Sequence, residues 1–100
     1  MPDENFDYQQ IDNFIHSRIR LAIVAVLASV DEMDFNAIKK AVNTTDGNLS
    51  VHLKKLEENG YIHIEKKFID KKPLTTCSLS EKGKKAFQDY ITTVENFLKK

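Results

Sequence analysis

The spacing of apolar residues changes along this chain, and the changes divide it into helices and one hairpin. A first helix is predicted from about Ile11 to Ser29, with Ser17 as an alternative start. Its stripe of Ile19, Ala22, Ile23, Val26, Leu27 and Val30 is widened by Leu21, Val24 and Ala25. A helix apolar nearly all round needs cover on more than one side, and a partner subunit would supply it. Asp34 is a good N-cap for a short second helix, Phe35–Val42, with Phe35, Ile38, Ala41 and Val42 facing inward. Asn43 and Thr44 make a brief turn, and Thr45 caps a third helix running to about Asn59. Leu49, Leu53 and Leu56 give that helix one buried stripe, and Gly60 supplies the left-handed residue that ends it.

At Tyr61 the period switches to two. Ile62 and Ile64 point one way, while Tyr61, His63 and Glu65 point the other, so Tyr61–Phe68 reads as a strand. Asp70–Pro73 is a turn and Leu74–Leu79 the returning strand. Ser80 caps a last helix, Glu81–Leu98, in which Phe87, Ile91, Val94 and Leu98 step by coiled-coil spacing. The predicted fold class is mainly α with a small β-hairpin (α+β), in the order helix, helix, helix, strand, strand, helix. One hundred residues make a single domain, 1–100, with residues 1–10 loosely packed.

Composition narrows the class. With 41% apolar and 30% charged residues, the chain is an ordinary globular one. Its apolar runs are too short to cross a bilayer, and the acidic N-terminus lacks the order of a signal peptide, which predicts a soluble, cytoplasmic protein without a membrane partner. The single cysteine, Cys77, excludes an internal disulfide and is expected to be a small core side chain. His16, His52 and His63 are too scattered to suggest a metal site, and no catalytic or phosphate-loop motif is present, so neither a cofactor nor an enzyme is expected. Net charge is zero, but its distribution is not even. Residues 1–34 hold two arginines against seven acids, net −5, and residues 35–100 hold thirteen lysines against eight acids, net +5.

The third helix carries the candidate chemistry. With Leu49 at the centre of its buried face, a rotation of 100° per residue places Gly47, Asn48, Val51, Lys54, Lys55 and Glu58 outside, with Ser50 and His52 on the flanks. The first half of this face is small and polar, which lets a helix approach base edges closely. Asn48 can pair with adenine, Ser50 can bond a base or phosphate, and Val51 can touch a thymine methyl. Lys54 and Lys55 lie where a flanking phosphate would sit.

These residues carry a resemblance. His16–Leu27 (HSRIRLAIVAVL), Asp34–Ile62 (DFNAIKKAVNTTDGNLSVHLKKLEENGYI) and Lys72–Phe87 (KPLTTCSLSEKGKKAF) resemble small winged helix-turn-helix transcriptional regulators related to MarR and ArsR. The resemblance covers about nine-tenths of the chain. It implies a homodimer on double-stranded DNA, the third helix in the major groove and the hairpin, or wing, along the backbone or minor groove. By position it makes Thr45, Asp46, Gly47, Asn48, Ser50, Val51, Lys54 and Lys55 the helix contacts, and Lys66, Lys67, Lys71 and Lys72 the wing contacts. Asp46 sits awkwardly beside phosphate, and its other uses are to complete the helix cap or to accept from a cytosine amino group. The wing carries lysine where relatives often carry arginine, so it supplies attraction more than sequence information.

The first and last helices hold more apolar surface than one small core can hide. Ile19, Ile23, Phe87, Tyr90, Ile91, Val94, Phe97 and Leu98 are therefore the expected dimer interface, and residues 80–100 a C-terminal dimerisation helix. Metal sensors of the ArsR type often use paired cysteines, which this chain lacks. A small-molecule effector, whose identity the residues do not indicate, would have to bind at the dimer interface or between it and the reading helices. The competing reading is a winged-helix protein-interaction module without specific DNA binding, which zero net charge and the acidic first third favour.

Overall fold

The computed structural model describes residues 14–99. Among them the order is α1 (Arg18–Ala28), β1 (Met33–Asp34), α2 (Phe35–Val42), α3 (Asp46–Glu58), β2 (Ile62–Ile69), β3 (Lys72–Leu79) and α4 (Glu81–Leu98). The expected α+β class is correct, with one strand more than expected. The three strands form an antiparallel sheet in the order β1-β3-β2. Strand β1 is only two residues long, Met33 opposite Cys77 and Asp34 opposite Thr76, too short for any alternation to show in sequence.

Three of the four helices begin as their capping residues predict. Asp34 Oδ2 accepts from the Ala37 amide, Thr45 Oγ1 from the Asn48 amide and Ser80 Oγ from the Gly83 amide. Asn43 adopts the left-handed conformation (φ 57°) between α2 and α3, and Gly60 does so (φ 79°) after α3.

The first helix differs. It begins at Arg18, the later of the two possible starts, after an extended Ser17 (φ −132°, ψ 134°) whose side chain makes no cap hydrogen bond. The Phe14 carbonyl accepts from Arg20 Nε at 2.8 Å, and Ile15 and Ser17 close a turn. The expected start at Ile11, the loosely packed residues 1–10, and the aromatic residues Phe6 and Tyr8 lie outside the described residues.

The hairpin turn is tighter than Asp70–Pro73. Ile69 pairs with Lys72, leaving only Asp70 and Lys71 in the loop, both left-handed (φ 52° and 66°). That is a type I′ turn, whose twist matches the flanking strands.

The core is Ile15, Ile23, Val24, Leu27, Ile38, Leu49, Leu53, Leu56, Tyr61, Ile62, Cys77 and Leu79. Helix α1 is covered by α2, α3, α4 and β3 of its own chain, so much of the cover expected from a partner comes from within. Ile23 is a correction to the expected dimer interface: it is fully buried inside the subunit and has no surface to offer a partner. Ile19, Phe87 and Tyr90 are half-buried against this core, and Ile91 and Val94 are half-buried further along α4. Exposure grows at the end of the helix, where Phe97 and Leu98 are exposed.

Cys77 is buried as expected. Burial, with a contribution from Glu57, pushes its thiol up to about 11, so little reactive thiolate exists near neutral pH.

Candidate nucleic-acid interface

The leucine stripe of α3 fixes its orientation. Leu49, Leu53 and Leu56 are buried, which turns Asp46, Gly47, Asn48, Ser50, Val51, Lys54 and Lys55 to the surface, with the N-cap Thr45 beside them. Val51 is half exposed (51%), an apolar side chain facing outward in the middle of a polar surface. Asn48 Nδ2 lies 3.2 Å from Thr44 Oγ1, a contact weak enough to exchange for another partner.

Asp46 does not provide the helix's side-chain cap. Thr45 provides the side-chain cap, and the Asp46 carboxylate pairs with Lys39 Nζ of α2 at 2.7 Å. A negative charge on the outer face of α3 is thereby compensated by a neighbour across the α2–α3 turn. The pair is solvent-exposed, so its contribution to stability is small.

The wing lysines do not act as one group. Successive residues of β2 alternate faces, and Lys66 continues the face of Ile62 and Ile64. Lys66 lines a groove of about 400 Å³ with Ser50 and Lys54 of α3 and with Phe35, Leu53 and Ile64. Lys67 points the other way and is bound at 2.9 Å to Glu32, in the segment between α1 and β1, with Glu65 at 3.9 Å. Its hydrogen bond to Glu32 raises its pKa. Lys71 and Lys72 are exposed at the tip. The strict alternation read for Ile62 and Ile64 already implied that Lys66 and Lys67 face apart. The partner of Lys67 could not be read from it.

The ion pairs sort the lysines further. Lys39, Lys67, Lys84 and Lys85 are paired with acids. Lys54, Lys55, Lys66, Lys71 and Lys72 make no ion pair within the described residues, and all five are exposed along α3 and the wing. The acids of the first third are partly engaged: Asp34 caps α2 and Glu32 holds Lys67, while Asp3, Glu4, Asp7 and Asp12 lie outside the described residues.

His52 sits on the inner flank of α3, half-buried, with its Nδ1 3.3 Å from Arg20. Arg20 also stacks on Phe14, 4.5 Å from the ring centroid. His52 lines a cleft of about 530 Å³ with Ser17, Arg18, Ile19 and the α2–α3 turn. Desolvation first, then the charges of Arg20 and Lys55, lower its pKa. A histidine whose pKa is lower folded than unfolded binds more protons when unfolded. Stability is therefore full above the ordinary value near 6.5 and falls as pH drops through 6.5 toward the lower folded value. Replacing His52 with glutamine is expected to flatten the decline in melting temperature between about pH 7 and 5. Identical pH profiles for the two proteins would contradict this account of His52.

Among the described residues, no helix is long and apolar enough to cross a membrane. None of their His, Cys, Asp and Glu side chains gather in groups of three that could hold a metal ion.

A helix-turn-helix (α2 and α3) followed by a hairpin wing, closed by β1 and α4, defines a winged-helix domain. The chain belongs to the winged-helix DNA-binding domain family, whose model matches residues 19–98. The family is one of DNA binders, not enzymes. The chain is 41% identical over 76 residues to the uncharacterized protein MJ0432 of Methanocaldococcus jannaschii, covering 76% of this chain and 83% of that one. Its fold is similar to that of a transcriptional regulator homologue from Pyrococcus horikoshii OT3, with a TM-score of 0.82, 24% identity, and 88% and 87% of the two chains covered. It is also similar to MepR of S. aureus, solved as a DNA complex, with a TM-score of 0.77, 20% identity, and 90% and 73% covered. A MarR-family regulator from Silicibacter pomeroyi shares the fold at a TM-score of 0.70 and 14% identity, with 91% and 60% covered.

Proposed function

We propose that this protein is a cytoplasmic homodimer that binds double-stranded DNA sequence-specifically and regulates transcription, as a repressor that excludes polymerase from an occupied operator. The single observation that carries the reading is the cluster of Lys54, Lys55, Lys66, Lys71 and Lys72. Each is exposed and makes no ion pair within the described residues, and together they line α3 and the wing, whereas Lys39, Lys67, Lys84 and Lys85 are paired with acids. Phosphates are the natural counter-charge for such a surface.

In this reading α3 enters the major groove. Thr45 and the first-turn amides of α3 meet phosphate, and Gly47 lets the backbone come close. Asn48, Ser50 and Val51 read base edges. Asp46, balanced by Lys39, leaves the helix start free of net repulsion. Lys54, Lys55 and the wing residues Lys66, Lys71 and Lys72 hold the backbone on either side. Lys67, committed to Glu32, is given a bracing role in place of the phosphate contact first expected of it.

The dimer is supported by the apolar run at the end of α4. Ile91, Val94, Phe97 and Leu98 form the outer part of the proposed interface, with Ile19, Phe87 and Tyr90 supporting it from the core side. Two-fold symmetry then gives a pseudo-palindromic operator with half-sites about 34–36 Å apart.

The test begins by selecting bound fragments from genomic DNA and measuring affinity against salt. Lys54→Ala and Lys71→Ala should each weaken binding to every duplex and flatten the log–log salt slope by about one unit. Substitution of Asn48 or Val51 should instead narrow the gap between selected and scrambled duplexes. A lysine substitution that left the slope unchanged would remove that lysine from the interface. A protein that captured no fragment would favour the protein-interaction reading.

A further inference from the structure

The tip of the wing holds two exposed apolar residues that the lysine cluster does not explain. Phe68 is 75% exposed and Ile69 is 53% exposed, immediately before the Asp70-Lys71 turn. Neither is needed for the turn, whose twist comes from its own two left-handed residues. An exposed phenylalanine on a hairpin tip leaves apolar surface in water unless something covers it. Between residues 66 and 73 there are four lysines and one acid, Asp70. A partner that covers Phe68 would meet Lys66, Lys71 and Lys72 around it, which favours one that is apolar within and anionic around its edge.

We infer that Phe68 is an apolar wedge that enters the minor groove flanking each half-site and partly unstacks a base step there. The inference rests on the DNA-binding reading above and adds to it a site of specificity. Its geometry is favourable. Ile62, Ile64, Lys66 and Phe68 share one face of β2, the face that meets Ser50 and Lys54 of α3 across the groove. Four residues of strand carry Phe68 about 13 Å beyond Ile64. The adjacent minor groove of B-DNA lies about half a helical turn, roughly 17 Å, from the major-groove site. Lys66 behind Phe68 and Lys71 and Lys72 beyond it flank the entry point, where the two backbones run. Minor-groove proteins use phenylalanine, leucine and isoleucine in this way, and the sequence dependence comes from how easily the step unstacks. Pyrimidine–purine steps are the preferred target.

The experiment uses the full chain and a duplex selected by it, with 2-aminopurine placed along the flank and donor and acceptor dyes at the ends. Wild-type protein is expected to raise 2-aminopurine fluorescence at one flanking step per half-site and to shorten the end-to-end distance. Phe68→Ser should abolish both signals and weaken binding on the order of tenfold, with the salt slope unchanged because no phosphate contact is lost. Phe68→Leu should retain both signals in part. A selected duplex bound tightly with no fluorescence change, or equally well by Phe68→Ser, would overturn the wedge and leave the DNA reading intact. Absence of any salt-sensitive complex would overturn both. Phosphatidylserine vesicles and sizing of Phe68→Ser provide the remaining arms. Binding to the vesicles that depends on Phe68, or a change of oligomeric state in the variant, would assign the tip to a membrane or a second copy and overturn the wedge.

Discussion

Replacing Gly83 with alanine is expected to lower the melting temperature by roughly 10 °C or more. Gly83 lies in the first turn of α4, where its amide donates to the capping oxygen of Ser80 at 3.0 Å. A Cβ at this position would collide with the backbone carbonyl oxygen of Tyr61 and would lie 3.0 Å from Leu79 Cδ1. Neither neighbour can yield cheaply. The Tyr61 oxygen is held by the Ser80 amide at 2.9 Å, and Leu79 is a core side chain. Helix propensity alone would favour alanine by about 1 kcal/mol. Overpacking against fixed atoms costs about 1–3 kcal/mol or more, and here it must displace backbone, so the steric effect wins. For a domain of this size each kcal/mol moves the melting temperature by roughly 4–8 °C. Gly47→Ala is the matched control. Its Cβ would meet nothing within 4 Å, so the same substitution in the first turn of α3 should be neutral or slightly stabilising. Equal thermal melts for Gly83→Ala and wild type would mean that α4 does not start as closely against Tyr61 as described.

Reversing the charge of Lys54 and Lys55 together is expected to weaken DNA binding on the order of 100- to 1000-fold. Both side chains are exposed and make no ion pair within the described residues, so the substitution to glutamate leaves the core untouched. Each unit charge near a phosphate is worth about 1 kcal/mol in water, and reversing these two charges changes the total by about four units. Lys55 also lies in the last turn of α3, where a glutamate would meet the negative end of the helix, at a cost of about 0.3–1 kcal/mol in stability. Circular dichroism should therefore show an intact but slightly less stable fold. Lys84→Glu with Lys85→Glu at the start of α4 changes net charge by the same amount outside the proposed DNA contacts. Fluorescence anisotropy should show that pair binding DNA within a few-fold of wild type. If the two double variants lost affinity equally, attraction would be a matter of total charge, and the lysine cluster would have no special place.

Much of this arrangement could be read along the chain because it depends on neighbours. The caps at Asp34, Thr45 and Ser80, the leucine stripe of α3, the left-handed Gly60 and the switch to period two at Tyr61 all act within a few residues. The outward face of α3 followed from its inward one. What could not be read depends on which segments meet. The two residues of β1 become a strand only because β3 lies beside them. Asp46 finds Lys39, and Lys67 finds Glu32, across turns whose shape no spacing specifies. Ile23 looked available for a partner because the apolar breadth of α1 does not reveal which helices of the same chain will cover it. Phe68 reads only as the last residue of a strand, and the finished hairpin is what leaves it in solvent beyond the core.

The lysine cluster and the wing tip divide the work on DNA in a testable way. In the proposed complex the lysines would supply attraction that salt weakens, and Phe68 would supply a contact that salt leaves alone. Between them the small polar half of α3 would be left, on the same proposal, to discriminate among bases. The most direct test of the whole account is the affinity of the full chain for a duplex selected from genomic DNA and for its scrambled counterpart, titrated between about 50 and 200 mM salt. The account predicts a preference for the selected duplex of roughly 1000-fold or more, with both affinities falling steeply as salt rises. Equal affinity for the two duplexes, or binding indifferent to salt, would contradict it.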